Sequence, residues 1–192
     1  MSGPLLTRTA APSALISTAD AKTHLNVDFS DDDTYIDTLV STATAALDGP
    51  YGIIGKALVT QSWQAEMWPV TGRTEVYFPV TPMISLSSIH YYDTDNAQQS
   101  LTVGDFDVFK DEDKAIIVPQ VGDNWPTMYC RRDALTITAS CGFGAAASVP
   151  ANIVHAAKII LTNLYENRGE MPAEMPSAVK ALIGVSRSGW VG

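Results

Sequence analysis

The sequence predicts an α+β protein: a small helical bundle made from the two ends of the chain, with an antiparallel β domain inserted between them. Three observations carry this. In the second helix from the N-terminus, Ile36, Leu39, Val40, Ala43, Ala46 and Leu47 recur at offsets 0, 3, 4, 7, 10 and 11, one face of a 3.6-residue helix. Near the C-terminus, Ile153, Ala156, Ala157, Ile160, Leu161 and Leu164 recur at 0, 3, 4, 7, 8 and 11. Between these stretches the period falls to two, and glycines mark both junctions, at Gly55 and at Gly142 and Gly144. Helices that bury stripes must bury them against something, and packing the two ends on each other is the economical solution. At 192 residues the chain has room for one sizeable core, or for one domain carrying a large insertion.

Residues 1–16 have two prolines and no period, which predicts an extended arm. Ser17 or Thr18 can cap a short helix from Ala19 to about Val27, with Asp20 in its first turn. Ser30 opens the second helix in capping-box style, with Asp33 at the third position, and Gly49-Pro50 stops it. Its other face is Asp37, Thr38, Ser41, Thr42 and Thr44, so it is apolar on one side only.

Ala57, Val59, Trp63, Ala65 and Met67 then alternate onto one face of an extended run. Val76, Phe78 and Val80 repeat the pattern within Thr74–Val80, with Pro79 and Pro82 marking an edge or strand end. Leu86–Tyr92 reads as a strand ended by the turn residues Asp93-Thr94-Asp95-Asn96. Short strands are expected at Ser100–Val103, Asp105–Phe109 and Ala115–Val118, and a cleanly alternating one at Leu135–Cys141.

The long C-terminal helix starts at Pro150, whose fixed φ suits a first helical residue, and stops at Gly169 with Arg168 in the last turn. Val154, Ile159 and Tyr165 lie off its main stripe. A helix apolar on more than one side needs cover on more than one side. In a chain this short, another subunit can supply that cover, so these three residues are candidate subunit contacts. Pro176 begins a final helix to about Ile183. The expected organisation is an arm at 1–16, a helical domain from 17–54 and 145–183, an inserted β domain at 55–144, and a flexible tail at 184–192.

Composition limits the function classes. Apolar residues make up 46% and charged residues 17%, an ordinary globular balance that argues against disorder. No apolar run approaches a membrane span, and the N-terminus has no signal-type hydrophobic run, which predicts synthesis in the cytoplasm. Cys130 and Cys141 form no disulfide framework and are expected to be reduced structural thiols. Net charge is −9, whereas a nucleic-acid clamp needs a basic stripe. Lys158, Arg168, Lys180 and Arg187 outnumber the three glutamates after residue 149, so the negative charge lies in the residues before them.

A search for chemistry comes up empty, predicting a protein that is not an enzyme and holds no metal or cofactor. Asp105, Asp107, Asp111, Glu112 and Asp113 lack the alternating ligands, central glycine and closing glutamate of a calcium loop; a charged hairpin tip accounts for them. Gly142-x-Gly144 lacks the lysine and hydroxyl of a phosphate loop and reads as a hinge between sheet and helix. His24, His90 and His155 fall in three elements without zinc spacing, and no nucleophile-elbow signature is present. Trp63 is expected in the core, and Trp125 as a loop anchor. Trp190 stands on a Gly/Ser tail with Arg187 and Val191, beyond the last acid of the chain, and an aromatic so placed suits an interface anchor.

Several segments, in order, resemble head–tail connector (adaptor) proteins of long-tailed phages and related gene transfer agents. They are Leu15-Ile16-Ser17-Thr18-Ala19-Asp20-Ala21-Lys22-Thr23-His24-Leu25 with its acidic turn, Gly55–Trp63, Ser88–Asp93, Ala139–Gly144, Val149-Pro150 and Leu164-Tyr165-Glu166-Asn167-Arg168. The resemblance covers nearly the whole chain; the tail with Trp190 has no counterpart in it. It implies a structural protein of the virion neck that forms a ring, commonly of twelve copies, beneath the portal. The partners implied are the portal protein and the next neck component (the stopper), with DNA passing through the lumen unbound. An acidic body suits such a lumen, which should not grip phosphates. It also makes the portal the expected partner of Arg187, Trp190 and Val191. The rival reading is a monomeric β-rich virion module for carbohydrate or cell-surface recognition, with Tyr77, Tyr91, Tyr92 and Trp125 lining its site.

Overall fold

A computed structural model describes residues 3–168 and 174–184. The fold is α+β, and the chain divides into two compact units: Met1–Pro12 with Thr60–Gly142, and Ser13–Val59 with Phe143–Gly192.

In the second unit, helix α1 spans Thr18–Leu25 and α2 spans Asp33–Leu47. Helix α3 is Ala151–Glu166 and α4 is Ser177–Gly184. Ser17 caps α1, its hydroxyl accepting from the Asp20 amide at 3.1 Å. Asn26, in the left-handed region at φ 58°, ends it. Ser30 does not cap α2 as the sequence suggested. It forms a turn to the Asp33 amide, and Asp32 occupies the N-cap position without a side-chain bond. The α3 stripe is buried at all six expected positions and shares one core with Ile36, Leu39, Val40, Ala43 and Leu47 of α2. Pro150 is the N-cap rather than the first helical residue. The C-terminus of α3 comes earlier than Gly169: the helix ends at Glu166, and Arg168 stands outside it at φ 53°.

The loop after α2 is fixed by polar groups. Asp48 is buried and its carboxylate accepts from the Leu58 amide at 2.8 Å. Gly52 approaches the Leu47 and Asp48 carbonyls so closely that an added Cβ would sit 2.5 Å from both. Leu58 and Val59 belong to the helical core, so the sequence-derived junction at Gly55 falls inside that unit. The Phe143 amide donates to the Leu58 carbonyl at 2.8 Å, which closes the two ends of the intervening segment onto each other.

The first unit holds two antiparallel sheets. Part of the stretch expected as an arm, Leu5–Ala10, is strand β1. The others are β2 (Gln61–Met67), β3 (Val76–Tyr77), β4 (Met83–Tyr92) and β5 (Gln98–Leu101). They continue with β6 (Phe106–Lys110), β7 (Ala115–Pro119) and β8 (Leu135–Cys141). One sheet has the order β1-β2-β8-β4-β5, the other β3-β7-β6. Ala65, Ile137 and Ile89 stand opposite one another across β2, β8 and β4, all fully buried. Period-two alternation puts the remaining inward residues of β8, Leu135, Ala139 and Cys141, on the same face.

Candidate interaction surfaces

The three residues expected to meet another subunit do not share a face. At about 100° per residue, Ile159 lies about 140° from Val154 and about 120° from Tyr165 around α3. All three are half-buried against the helical unit's own core. The Ile159 flank also carries Asn152, whose Nδ2 donates to the Leu182 carbonyl of α4 at 2.8 Å, so α4 reaches that flank at the start of the helix. Val154 and Tyr165 lie on the opposite flank.

Tyr165 is committed within the chain. Its hydroxyl donates to the Asp32 carboxylate at 2.8 Å, and its ring lies 6.2 Å from that of Tyr35. The hydrogen bond to Asp32, then burial, then the nearby negative charge hold the Tyr165 hydroxyl above the ordinary tyrosine value. Asp32, Tyr35, Tyr165, Glu166 and Arg168 line a polar recess at this end of α3. Nothing local in the sequence signals the contact, because its partners are 133 residues apart.

The Val154 flank opens on a groove of about 880 Å³. Leu15, Ala146, Val149 and Val154 supply apolar lining, while Asp20 and Lys158 contribute the charged groups. It runs between the first turns of α1 and α3; the sequence reading gave the stripe of α3 but not this gap. Arg187, Trp190 and Val191, the expected tail contacts, lie outside the described residues.

The aromatics of the rival reading do not converge. Trp125 is 4% exposed, its indole N–H donates to the Thr74 carbonyl, and its ring lies 4.7 Å from Phe106. The Arg131 guanidinium covers Tyr92 at 3.7 Å while bonding both oxygens of Asp133 at 2.7 Å. That pairing holds the Asp133 carboxyl below the usual range. Tyr91 stands opposite Leu135 and Gln99 in the five-stranded sheet, whereas Tyr77 stands opposite Ile116 in the three-stranded one.

Cys141 is buried, its thiol pushed up to about 12 by that burial, and its Sγ faces the Val80 carbonyl at 3.4 Å. Cys130 is exposed. Among the described residues no group of three or more His, Cys, Asp and Glu side chains is placed to hold a metal ion. None of the described helices is long and apolar enough to cross a membrane.

No protein-family model matches this chain, and no curated protein matches it either. Solved structures do match. A chain from the neck of an empty GTA particle, computed with C6 symmetry, is 18% identical and superposes with a TM-score of 0.78. A chain from the virion of the native gene transfer agent (GTA) particle is 19% identical with a TM-score of 0.72. A chain from the neck of the native GTA particle, computed with C12 symmetry, is 18% identical with a TM-score of 0.69. Each match covers 96% of this chain and 95% of the other. The chain therefore shares its fold, over almost its entire length, with chains of gene transfer agent particles, two of them from the particle neck.

Proposed function

We propose that this protein is a structural head–tail connector (adaptor) that forms a ring below the portal of a phage-like particle, joins the DNA-filled head to the tail and continues the DNA channel. The observation that carries the reading is the fold shared over 96% of the chain with a neck chain at a TM-score of 0.78. Two further features support it. Both neck structures were computed with cyclic symmetry, and a cyclic ring uses different patches on the two sides of each subunit. The net charge of −9 suits a channel that must let DNA slide. The order of segments noted in the sequence, from Leu15–Leu25 to Leu164–Arg168, points the same way.

In this reading the helical unit and the β unit are the two working parts, and the chain acts without catalytic group, metal or cofactor. Neighbouring copies meet on one flank of α3. Since Val154 and Ile159 point to different sides of that helix, only the substitution on the contacting flank should block assembly. The C-terminal residues Arg187, Trp190 and Val191 engage the portal, and the stopper follows below the ring. The particle neck is then the protein's place of work, after synthesis in the host cytoplasm.

The test is mass in solution, by light scattering, of the purified chain alone and with portal protein, followed by electron microscopy. A ring of this chain seated on the portal is expected. An obligate monomer that ignores portal would overturn the proposal. Val154→Asp and Ile159→Asp, each checked for native circular dichroism, then report which flank carries the contact.

A further inference from the structure

We infer that the groove beside the N-terminal half of α3 is a docking site for the C-terminal segment of the same chain, residues 185–192, with the Trp190 indole against its apolar lining and Arg187 beside Asp20.

The position of the last turn of α4 makes this physically direct. The C-terminal end of α4 lies at the N-terminal end of α3: Asn152, in the first turn of α3, donates to the carbonyl of Leu182, two residues before α4 ends at Gly184. Gly184, the last residue of α4, therefore lies near the N-terminal end of α3. The groove is built on that same end, from Val154 and Lys158 of α3 with Val149 just ahead of it, facing Leu15 and Asp20. Six extended residues from Gly184 to Trp190 reach about 20 Å, while going round a helix from the Asn152 side to the Val154 side takes only about 10–15 Å, given its diameter. Reach is sufficient with residues to spare.

The chemistry matches as well. The segment Val185-Ser186-Arg187-Ser188-Gly189-Trp190-Val191-Gly192 holds one cation and one large aromatic. Among the described residues Asp20 is the one carboxylate lining the groove, set at its α1 side apart from Lys158 on α3, so it is the group there that a guanidinium can pair with. Docking takes apolar area of both groove and indole out of water, the kind of burial that makes a tryptophan dominate a contact. The small lining residue Ala146 leaves space for a ring, where a larger side chain would fill it. Trp190 follows Gly184 by six residues, so the loop to be closed is short and its entropic cost low.

The docking itself does not depend on the connector reading. A consequence does: a tail held in this groove is withheld from any other partner until the groove releases it, so portal would compete with the chain's own α3.

The experiment uses the full chain with Cys130→Ser, a bimane fluorophore on Ala147→Cys, and a second version labelled at Ala151→Cys; both alanines are exposed on the groove. Trp190 within contact distance quenches the fluorophore. Trp190→Phe should brighten both labelled proteins, Asp20→Asn should brighten them in part, and dilution should change nothing. Emission unaffected by Trp190→Phe at both positions would overturn the inference. Quenching lost on dilution would also overturn it, because the tail would then come from a second copy. Ring formation on the portal is read separately, from mass with portal, so the two readings can fail independently.

Discussion

Replacing Leu164 with alanine isolates what holds the helical unit. Leu164 is fully buried in the core that α3 shares with α2 and α4. Three carbons are lost, worth about 2.4 kcal/mol at about 0.8 kcal/mol per buried methylene. If the neighbours stay in place, a cavity of about 60 Å³ adds about 1.5 kcal/mol, and partial collapse removes some of that. The expected cost is therefore about 2.5–4 kcal/mol. With a urea dependence of about 1.5 kcal/mol/M, the midpoint followed by helical circular dichroism should fall by about 1.7–2.7 M. Trp63, Trp68 and Trp125 all belong to the β unit, so in a Trp190→Phe background tryptophan fluorescence reports that unit alone. If the units unfold independently, the fluorescence midpoint should stay where it was. A loss below about 1 kcal/mol would refute the core assignment of Leu164, since no sealed core site gives so little. Equal shifts in both signals would refute the independence of the two units.

Three shorter predictions follow from named contacts. Joining Val59 to Phe143 through a short Gly/Ser linker should keep the helical circular dichroism, because Leu58 and Phe143 are already hydrogen-bonded neighbours; loss of that signal would show that the helices need the β unit. Tyr165 is raised above the ordinary value chiefly by its bond to Asp32. Its contribution to stability is thus complete below the unfolded tyrosine pKa near 10 and is lost as pH climbs through the higher folded value. Asp32→Asn should bring one tyrosine back toward the ordinary value in an ultraviolet titration, and an unchanged titration would contradict the bond. Native protein should release one rapid thiol to an aromatic disulfide reagent, Cys130, with Cys141 reacting only on unfolding, since its burial holds the thiol near 12; two rapid thiols would refute that placement.

What the sequence determined by itself is everything set by spacing along one element. The stripe Ile153, Ala156, Ala157, Ile160, Leu161, Leu164 and the alternation Leu135, Ile137, Ala139, Cys141 are periodic, and each is buried as its period requires. The Ser17 cap and the charged tip between β6 and β7 were likewise legible, because caps and tight turns are made by residues a few positions apart. Only the tertiary structure decided what depends on distant partners. Leu5–Ala10 has no period, and it becomes a strand because the β2 edge offers backbone partners from Ser62 to Glu66. Ser30 lost the α2 cap to a turn, and the Tyr165 hydroxyl is bonded to Asp32, 133 residues away. Amphipathic periods reveal that a second face of α3 is apolar, but not what covers it. Cover is set by where other elements arrive, and α4 reaches the Asn152 flank while leaving the Val154 flank open as a groove.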